Sequence, residues 1–343
     1  MNILLSFITS FSISFMAIPS IIKIAHIKNL TDSPDERKNH FSHVPTLGGV
    51  AIFASLIFSL SFWVRNSDFF EMKYFISSLI IMFFIGIKDD LYNLVSFKKL
   101  LAQVLAAFIL VHYGDVRLTS MYRFFGVQDI SVWVSYPLSI FTITVIINAF
   151  NLIDGVDCLA AGIASTISLY FGVWYYLVDY NALSLMSFTL LGSLLAFIYF
   201  NKTPAKIFMG DTGSLLIGLV LALLTIKFIE FNKINEGPYH IASVPAVAIG
   251  ILIVPLFDLA RVFYIRIRSG KSPFHADRNH LHHRLLDLGF SHMKIAALLS
   301  IITASFIIFA VSICKLRAEI VLGVILLAAL SLNIWVEVLH KKI

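Results

Sequence analysis

Four short stretches concentrate side chains able to bind cations, bind phosphate or move protons. HADRNHLHHR (275–284) holds His275, His280, His282 and His283 beside Asp277, Arg278 and Arg284. GIKDDLYNLVSFKKLLAQ (86–103) sets Asp89 and Asp90 side by side, with Lys98 and Lys99 following. NAFNLIDGVDCLAAG (148–162) supplies Asn148, Asn151, Asp154 and Asp157, and KIFMGDTGSLLIG (206–218) places Asp211 between Gly210 and Gly213. Adjacent carboxylates repel and raise one another's pKa unless a cation lies between them. Asn151, Asp154 and Asp157 recur every third residue and would share one face if the segment is helical. Such a stripe of oxygen donors, without thiols, suits a hard cation, Mg²⁺ before a transition metal. Glycines flanking Asp211 would let backbone N–H groups approach an anion at a helix start. Imidazoles beside arginines suit an oligophosphate that must be gripped and then released. Two readings compete for the histidine stretch: zinc on His280, His282 and His283, and a solvated basic loop. The first lacks the HExxH pattern of a catalytic zinc helix. The second accounts for Lys and Arg but not for four histidines.

The rest of the chain says where this chemistry sits. Of 343 residues 59% are hydrophobic and 13% charged, and the mean hydropathy is +0.88. A soluble domain is about 45–50% apolar, so this chain needs lipid as part of its solvent. Apolar runs near the length that crosses about 30 Å of hydrocarbon as helix recur near 3–22, 47–64, 72–87, 99–113, 131–150, 159–178, 183–200, 214–231, 241–258, 295–314 and 319–338. Period-two alternation is absent, which argues for helices over strands. The expectation is an all-α, polytopic integral membrane protein of about eleven transmembrane helices, a single domain over 1–343. The first run lacks a preceding basic residue and a small-residue cleavage site, and reads as a retained helix rather than a signal peptide.

Eleven spans put 18 of the 26 Lys and Arg residues on one side, which the positive-inside bias makes cytoplasmic. Asp89, Asp90, Asp154, Asp157 and Asp211 all fall on that side. The same bias, with attraction to anionic lipid, explains the net charge of +6 without a nucleic-acid partner. Only Cys158 and Cys314 occur, on opposite sides in this topology, so no disulfide framework is expected.

With RKNHFSHVPTLGG (37–49), DDLYN, NAFNLIDGVDCLAAG, FMGDTGS and SPFHADRNHLHHRL in this order, the sequence resembles the polyprenyl-phosphate N-acetylhexosamine-1-phosphate transferases over nearly its whole length. The last motif resembles the branch that uses UDP-N-acetylglucosamine. The resemblance implies that Asp89, Asp90, Lys99 and Asp154 belong to the catalytic group, with Asp89 and Asp90 near the lipid phosphate and Lys99 on phosphate. Asn151 and Asp211 match Mg²⁺ ligands, with Mn²⁺ as a substitute. Asn148, Asp154 and Asp157 line the nucleotide side, and His275, Asp277, Arg278, His280, His282 and His283 match a loop closing over the sugar diphosphate. One departure is Asn93, where many members carry a third carboxylate. The implied partners are undecaprenyl phosphate, a UDP-N-acetylhexosamine and the bilayer, with room for a homodimer. The expected place is the bacterial plasma membrane with a cytoplasmic active site. A transporter of anions or nucleotide sugars is the rival, and predicts charges at mid-bilayer, broken helices and an inverted repeat.

Overall fold

The computed structural model describes residues 2–30, 44–124, 126–234, 237–272, 277 and 279–340. In chain order the elements are α1 (Asn2–Ile27), α2 (Gly48–Trp63), α3 (Asn66–Tyr92), α4 (Ser96–His112), β1 (Ser120–Phe124), β2 (Val127–Asp129), α5 (Val132–Ile153), α6 (Leu159–Leu177), α7 (Asn181–Asn201), α8 (Gly210–Ile234), α9 (Val244–Ile251), α10 (Ile253–Arg268), α11 (Leu281–Asp287), α12 (His292–Ser312) and α13 (Ala318–His340). The chain is nearly all helical. The exception is an antiparallel hairpin, β1 to β2, pairing Ser120 with Asp129 and Phe124 with Val127, which the apolar pattern did not announce.

The apolar runs fall in helices, that at 241–258 being divided between α9 and α10, but the expected count of eleven spans is not supported. Among the described residues six helices, α1, α5, α7, α8, α12 and α13, are long and apolar enough to cross a membrane. A seventh span results if α9 and α10, bent by 79° at their junction, are taken together. The shortfall has physical causes. With 16 and 17 residues, α2 and α4 fall short of the roughly 20 needed to cross hydrocarbon as an upright helix. Charge sits at the end of α3, and α6 dilutes its apolar residues with Ser165, Thr166, Ser168 and three tyrosines.

Helix α8 is the hub, with 83% of its most apolar stretch buried, against 22% for α1 and α13 at the rim. It packs on α5, α3 and α2, while α7 packs on α1 and α6. Small residues bring these helices close. A Cβ on Gly49 would stand 2.2 Å from the Gly213 amide nitrogen, and one on Gly86 would stand 2.4 Å from the Thr212 Cα. The start of α8 is thereby clamped between α2 and α3. Serines of α1 tie it sideways, Ser10 donating to the Thr189 carbonyl (2.7 Å) and Ser14 to Ser55 (2.9 Å). Interhelical bonds of this kind average only about 0.6 kcal/mol in a membrane, so close packing does most of the holding.

Candidate active site

The start of α8 organises the site. Its backbone enters through Phe208, whose N–H donates to the Pro45 carbonyl (2.8 Å), while Gly48 and Gly49 donate back to Phe208 and Met209 (both 2.9 Å). Gly210 adopts φ +71°, and a Cβ there would lie 2.1 Å from the Thr46 carbonyl oxygen and 2.6 Å from the Asp90 carboxylate. Only glycine fits that conformation and that space. Asp90, near the end of α3, accepts from the Asp211 N–H (2.7 Å) and the Thr212 N–H (3.1 Å) and from the Thr212 hydroxyl. It therefore caps the first turn of α8 and complements the helix dipole. The anion expected on these glycine-flanked N–H groups is the chain's own Asp90, which corrects the reading of a free phosphate cradle.

Asp211 follows directly. One carboxylate oxygen takes the Lys99 ammonium at 2.7 Å and the other accepts from the Asn151 amide, which also reaches Ser214 at 3.0 Å. Lys99 bridges as well to Asp89 at 2.9 Å, so the cation required beside the acidic pair is a lysine. Asp89 is buried and turns the chain out of α3, accepting from the Leu94 N–H while its carbonyl accepts from Asn93. Asn93 is the left-handed cap of α3, φ 45°. An amide side chain tolerates that conformation well, which gives the departure at this position a structural reason.

The helical stripe through Asn151, Asp154 and Asp157 does not form. Helix α5 ends at Ile153, Asp154 is its C-cap, and the chain turns through Gly155 to Cys158 at φ 64°. Asn201 holds this turn, accepting from the Cys158 N–H (2.6 Å) and donating to the Ile207 carbonyl (2.7 Å). Asp157 is buried and engages the Thr203 hydroxyl (2.8 Å) and the His292 ring (3.1 Å). Asp154 has no hydrogen-bond partner among the described residues. Desolvation, with the charges of Asp90 and Asp157 beside it, pushes its pKa up to about 7. Asn148 sits one turn before Asn151 and donates to Gln103 of α4 (2.6 Å), a helix-to-helix tie.

Within the histidine stretch, His275 and Arg278 lie outside the described residues, as does all of 31–43. The rest divides in two. Asp277 is gripped by both Arg266 Nε (3.0 Å) and Nη2 (3.1 Å) and by Asn279. Partial burial works against its charge, yet these bonds hold its carboxyl well below the usual range. His280 Nδ1 pairs with buried Asp258 (2.8 Å), which also takes Arg261 (2.9 Å) and the Leu281 N–H (2.9 Å). Asp277 and His280 thus anchor the segment to α10. His282 is free of such duties. It is buried, with neither ring nitrogen hydrogen-bonded among the described residues, and a Cβ on Gly155 would lie 2.2 Å from its Nε2. Burial, then neighbouring His283, pushes its pKa down to about 3, so the ring is neutral. It delivers an uncharged imidazole to the acidic turn.

Asp90, Asp211, Lys99, Asp89 and Asn151 therefore form one bonded network at one end of the bundle, and Asp154 feels both Asp90 and Asp157. Sequence reasoning missed Asp258, Asn201, Thr203 and His292. Only Asp258 carried a signal, as the lone acid in the ninth apolar run, where an ionisable group needs a reason. Among the described residues no three His, Cys, Asp or Glu side chains stand close enough to cage a metal. The oxygens at Asp211, Asn151 and Ser214, with unpartnered Asp154 nearby, suit instead an ion held by one or two carboxylates that fills its shell with water and phosphate, as Mg²⁺ does.

Fold and site together define a membrane protein whose polar chemistry is gathered at one end of a helical bundle. Residues 72–229 match glycosyl transferase family 4. A Bacillus subtilis (strain 168) protein named as a probable undecaprenyl-phosphate N-acetylglucosaminyl 1-phosphate transferase is 32% identical over 98% of this chain and 92% of its own length. Proteins named undecaprenyl-phosphate alpha-N-acetylglucosaminyl 1-phosphate transferase are 28% identical, that of Yersinia pestis over 88% of this chain and 80% of its own. That of Escherichia coli (strain K12) covers 82% and 76%. The chain belongs to glycosyl transferase family 4, the family its motifs resemble.

Proposed function

We propose that this chain transfers N-acetylglucosamine-1-phosphate, or a related N-acetylhexosamine-1-phosphate, from a UDP-sugar to undecaprenyl phosphate at the cytoplasmic face of a bacterial plasma membrane. This is the first membrane step of a cell-envelope glycan. One observation carries the reading. Lys99 joins Asp89 to Asp211 where Asp90 caps α8, in a chain similar throughout to a protein named for this reaction.

A phosphate oxygen of the carrier lipid forms a bond to the β-phosphorus of the UDP-sugar, the bond from that phosphorus to the α–β bridging oxygen breaks, and UMP leaves. One pyrophosphate linkage replaces another, so the work is bringing anions together. Lys99 meets the incoming negative charge, and Asp89 aims it. Asp90 keeps the first turn of α8 in place, and with it Asp211. Asp154 and Asp157 face the nucleotide side, and neutral His282 closes over it without adding charge. Asp211 and Asn151 would hold Mg²⁺, or Mn²⁺ in its place, which supplies charge neutralisation when bound. The lipid phosphate needs little help losing its last proton, because that pKa is near 6, so Asp89 and Asp90 serve geometry rather than obligatory base chemistry.

The transporter alternative draws on the 79° break between α9 and α10. The residues at that break, Ile251 to Val254, are apolar and buried, and offer nothing to an anion. The deciding experiment uses detergent-purified protein with undecaprenyl phosphate, Mg²⁺ and a panel of UDP-sugars. UMP release that chelation abolishes is the expected result. Absence of UMP release with every sugar, alongside uptake into sealed vesicles, would replace the transferase by the transporter.

A further inference from the structure

The end of the bundle that carries the acidic junction has two kinds of turn. Between α7 and α8 the chain exposes Lys202, Thr203, Pro204 and Lys206 and buries Ile207 and Met209. Between α5 and α6, Val156 and Cys158 are buried too. The turn from α3 into α4 does the reverse. Its Tyr92, Val95 and Phe97 are 75%, 67% and 70% exposed, and Leu91 and Leu101 on either side are exposed as well. Large apolar side chains gathered on a surface mark a place covered by a partner or by lipid. Both turns lie at the same end, because Lys99 of α4 bonds to Asp211 at the start of α8.

Helix length favours lipid as the cover. The 17 residues of α4 rise about 26 Å, about 4 Å less than the hydrocarbon layer they would have to cross. At the far end of α4, His112 stacks on Phe108 and meets Tyr136, and Tyr113 stacks on Tyr74. Amphipathic rings of this kind settle at a membrane–water interface. A helix pinned there begins inside the opposite leaflet. Charge agrees with this placement. Lys88 and Lys98 flank the apolar turn, both exposed, and neither ammonium is paired with an acid among the described residues.

We propose that the α3–α4 turn is a membrane-inserted tip. Tyr92, Val95 and Phe97 enter the acyl region of the leaflet on the side of the acidic junction. Lys88 and Lys98 lay their alkyl stems along the tip and extend their ammonium groups back to anionic lipid phosphates. The α7–α8 turn, at the same end, stays in water. This placement does not depend on the transferase reading. One consequence does rest on it: Asp89 and Lys99 adjoin the tip, so a lipid-borne phosphate would meet Lys99 without leaving its leaflet.

Spin labelling of the full-length protein in nanodiscs of phosphatidylethanolamine and phosphatidylglycerol tests the depth directly. Cys314→Ser removes the more accessible native thiol, and Cys158 is buried. Nitroxides at Val95→Cys and Phe97→Cys, both exposed positions, are compared with one at Lys202→Cys. Collisions with oxygen, which concentrates among acyl chains, should dominate at 95 and 97. Collisions with a water-soluble nickel chelate should dominate at 202. Nickel-dominated relaxation at either 95 or 97 would overturn the proposal. A second measurement replaces Phe97 with the photo-crosslinker p-benzoylphenylalanine. Adducts with phospholipid acyl chains are expected; an adduct with a second copy or another segment of this chain, or no lipid adduct at all, would overturn the tip. Neither readout involves turnover, so the tip and the transferase reading can fail separately.

Discussion

At the start of α8, Asp211 divides its oxygens between Lys99 and Asn151, Asp90 caps the helix, and Asp154 has no hydrogen-bonding partner among the described residues. Beside α10, Asp258 meets two cationic or imidazole partners and a backbone N–H, and Asp277 is held by an arginine fork. Both regions are crowded with charge, but they are balanced differently. Among the described residues of the histidine segment, Asp277 and His280 are paired with Arg266 and Asp258 of α10, and a neutral imidazole, His282, lies against the acidic turn. The acidic junction sets Asp89 and Asp211 on Lys99, Asp90 on the start of α8, Asp154 beside Asp90 and Asp157, and His292 on Asp157, and retains surplus negative charge. Paired charge builds a support, whereas surplus negative charge suits the cation proposed for this site.

Substitutions can break or sharpen that contrast. The largest effect should come from Asp258→Ala, which strips a buried carboxylate from Arg261 and His280. A loss of about 3–5 kcal/mol is expected when one partner of a buried pair is removed, seen as a lowered unfolding midpoint. A variant with wild-type stability would mean the histidine segment is held by other contacts. Next, Asp211→Ala should lower turnover about a hundred- to a thousandfold, the range for removing a preorganised electrostatic group, with little change in stability. Rates near wild type would take Asp211 out of the chemistry.

A smaller shift tests the cap. Asp90→Ala should destabilise by about 1–2 kcal/mol, as for loss of a helix cap, and Asp90→Asn should recover most of this because its amide oxygen can still accept. Two equally stable variants that are both inactive would instead make Asp90 a participant in the reaction. The smallest effect belongs to the far hairpin region, where Arg117 pairs with Asp115, 76% exposed. Arg117→Ala should cost no more than about 0.5 kcal/mol, as exposed pairs do, and leave UMP release unchanged. A measurable loss of rate there would extend the functional region beyond the acidic junction.

Much of the helical architecture was legible because membrane helices are written in long apolar runs, and every such run became helix. Their status as separate spans was not, since α2 and α4 are short and α9 turns sharply into α10 at an apolar junction. The cluster of Asp89, Asp90, Lys99, Asn151 and Asp211 was visible as chemistry by residue type. The partition of duties inside it was not. Nothing local distinguishes Asp90, which caps a helix 120 residues downstream, from Asp89, which holds Lys99. Likewise, three-residue spacing suggested a helical stripe through Asp157, but the Asn201 side chain, which holds Cys158 in a tight turn, comes from a different helix.

The amino-acid order by itself determined that this chain needs lipid, that it is helical, and which polar residues lack an ordinary reason to exist in so apolar a setting. These follow from composition and short-range spacing, which set transfer energies and helix formation locally. Only the tertiary structure decided which carboxylate meets which partner, because a charge's role depends on neighbours within a few ångströms. Those neighbours are contributed by helices that close packing at Gly49, Gly86 and Gly213 brings together from distant parts of the chain.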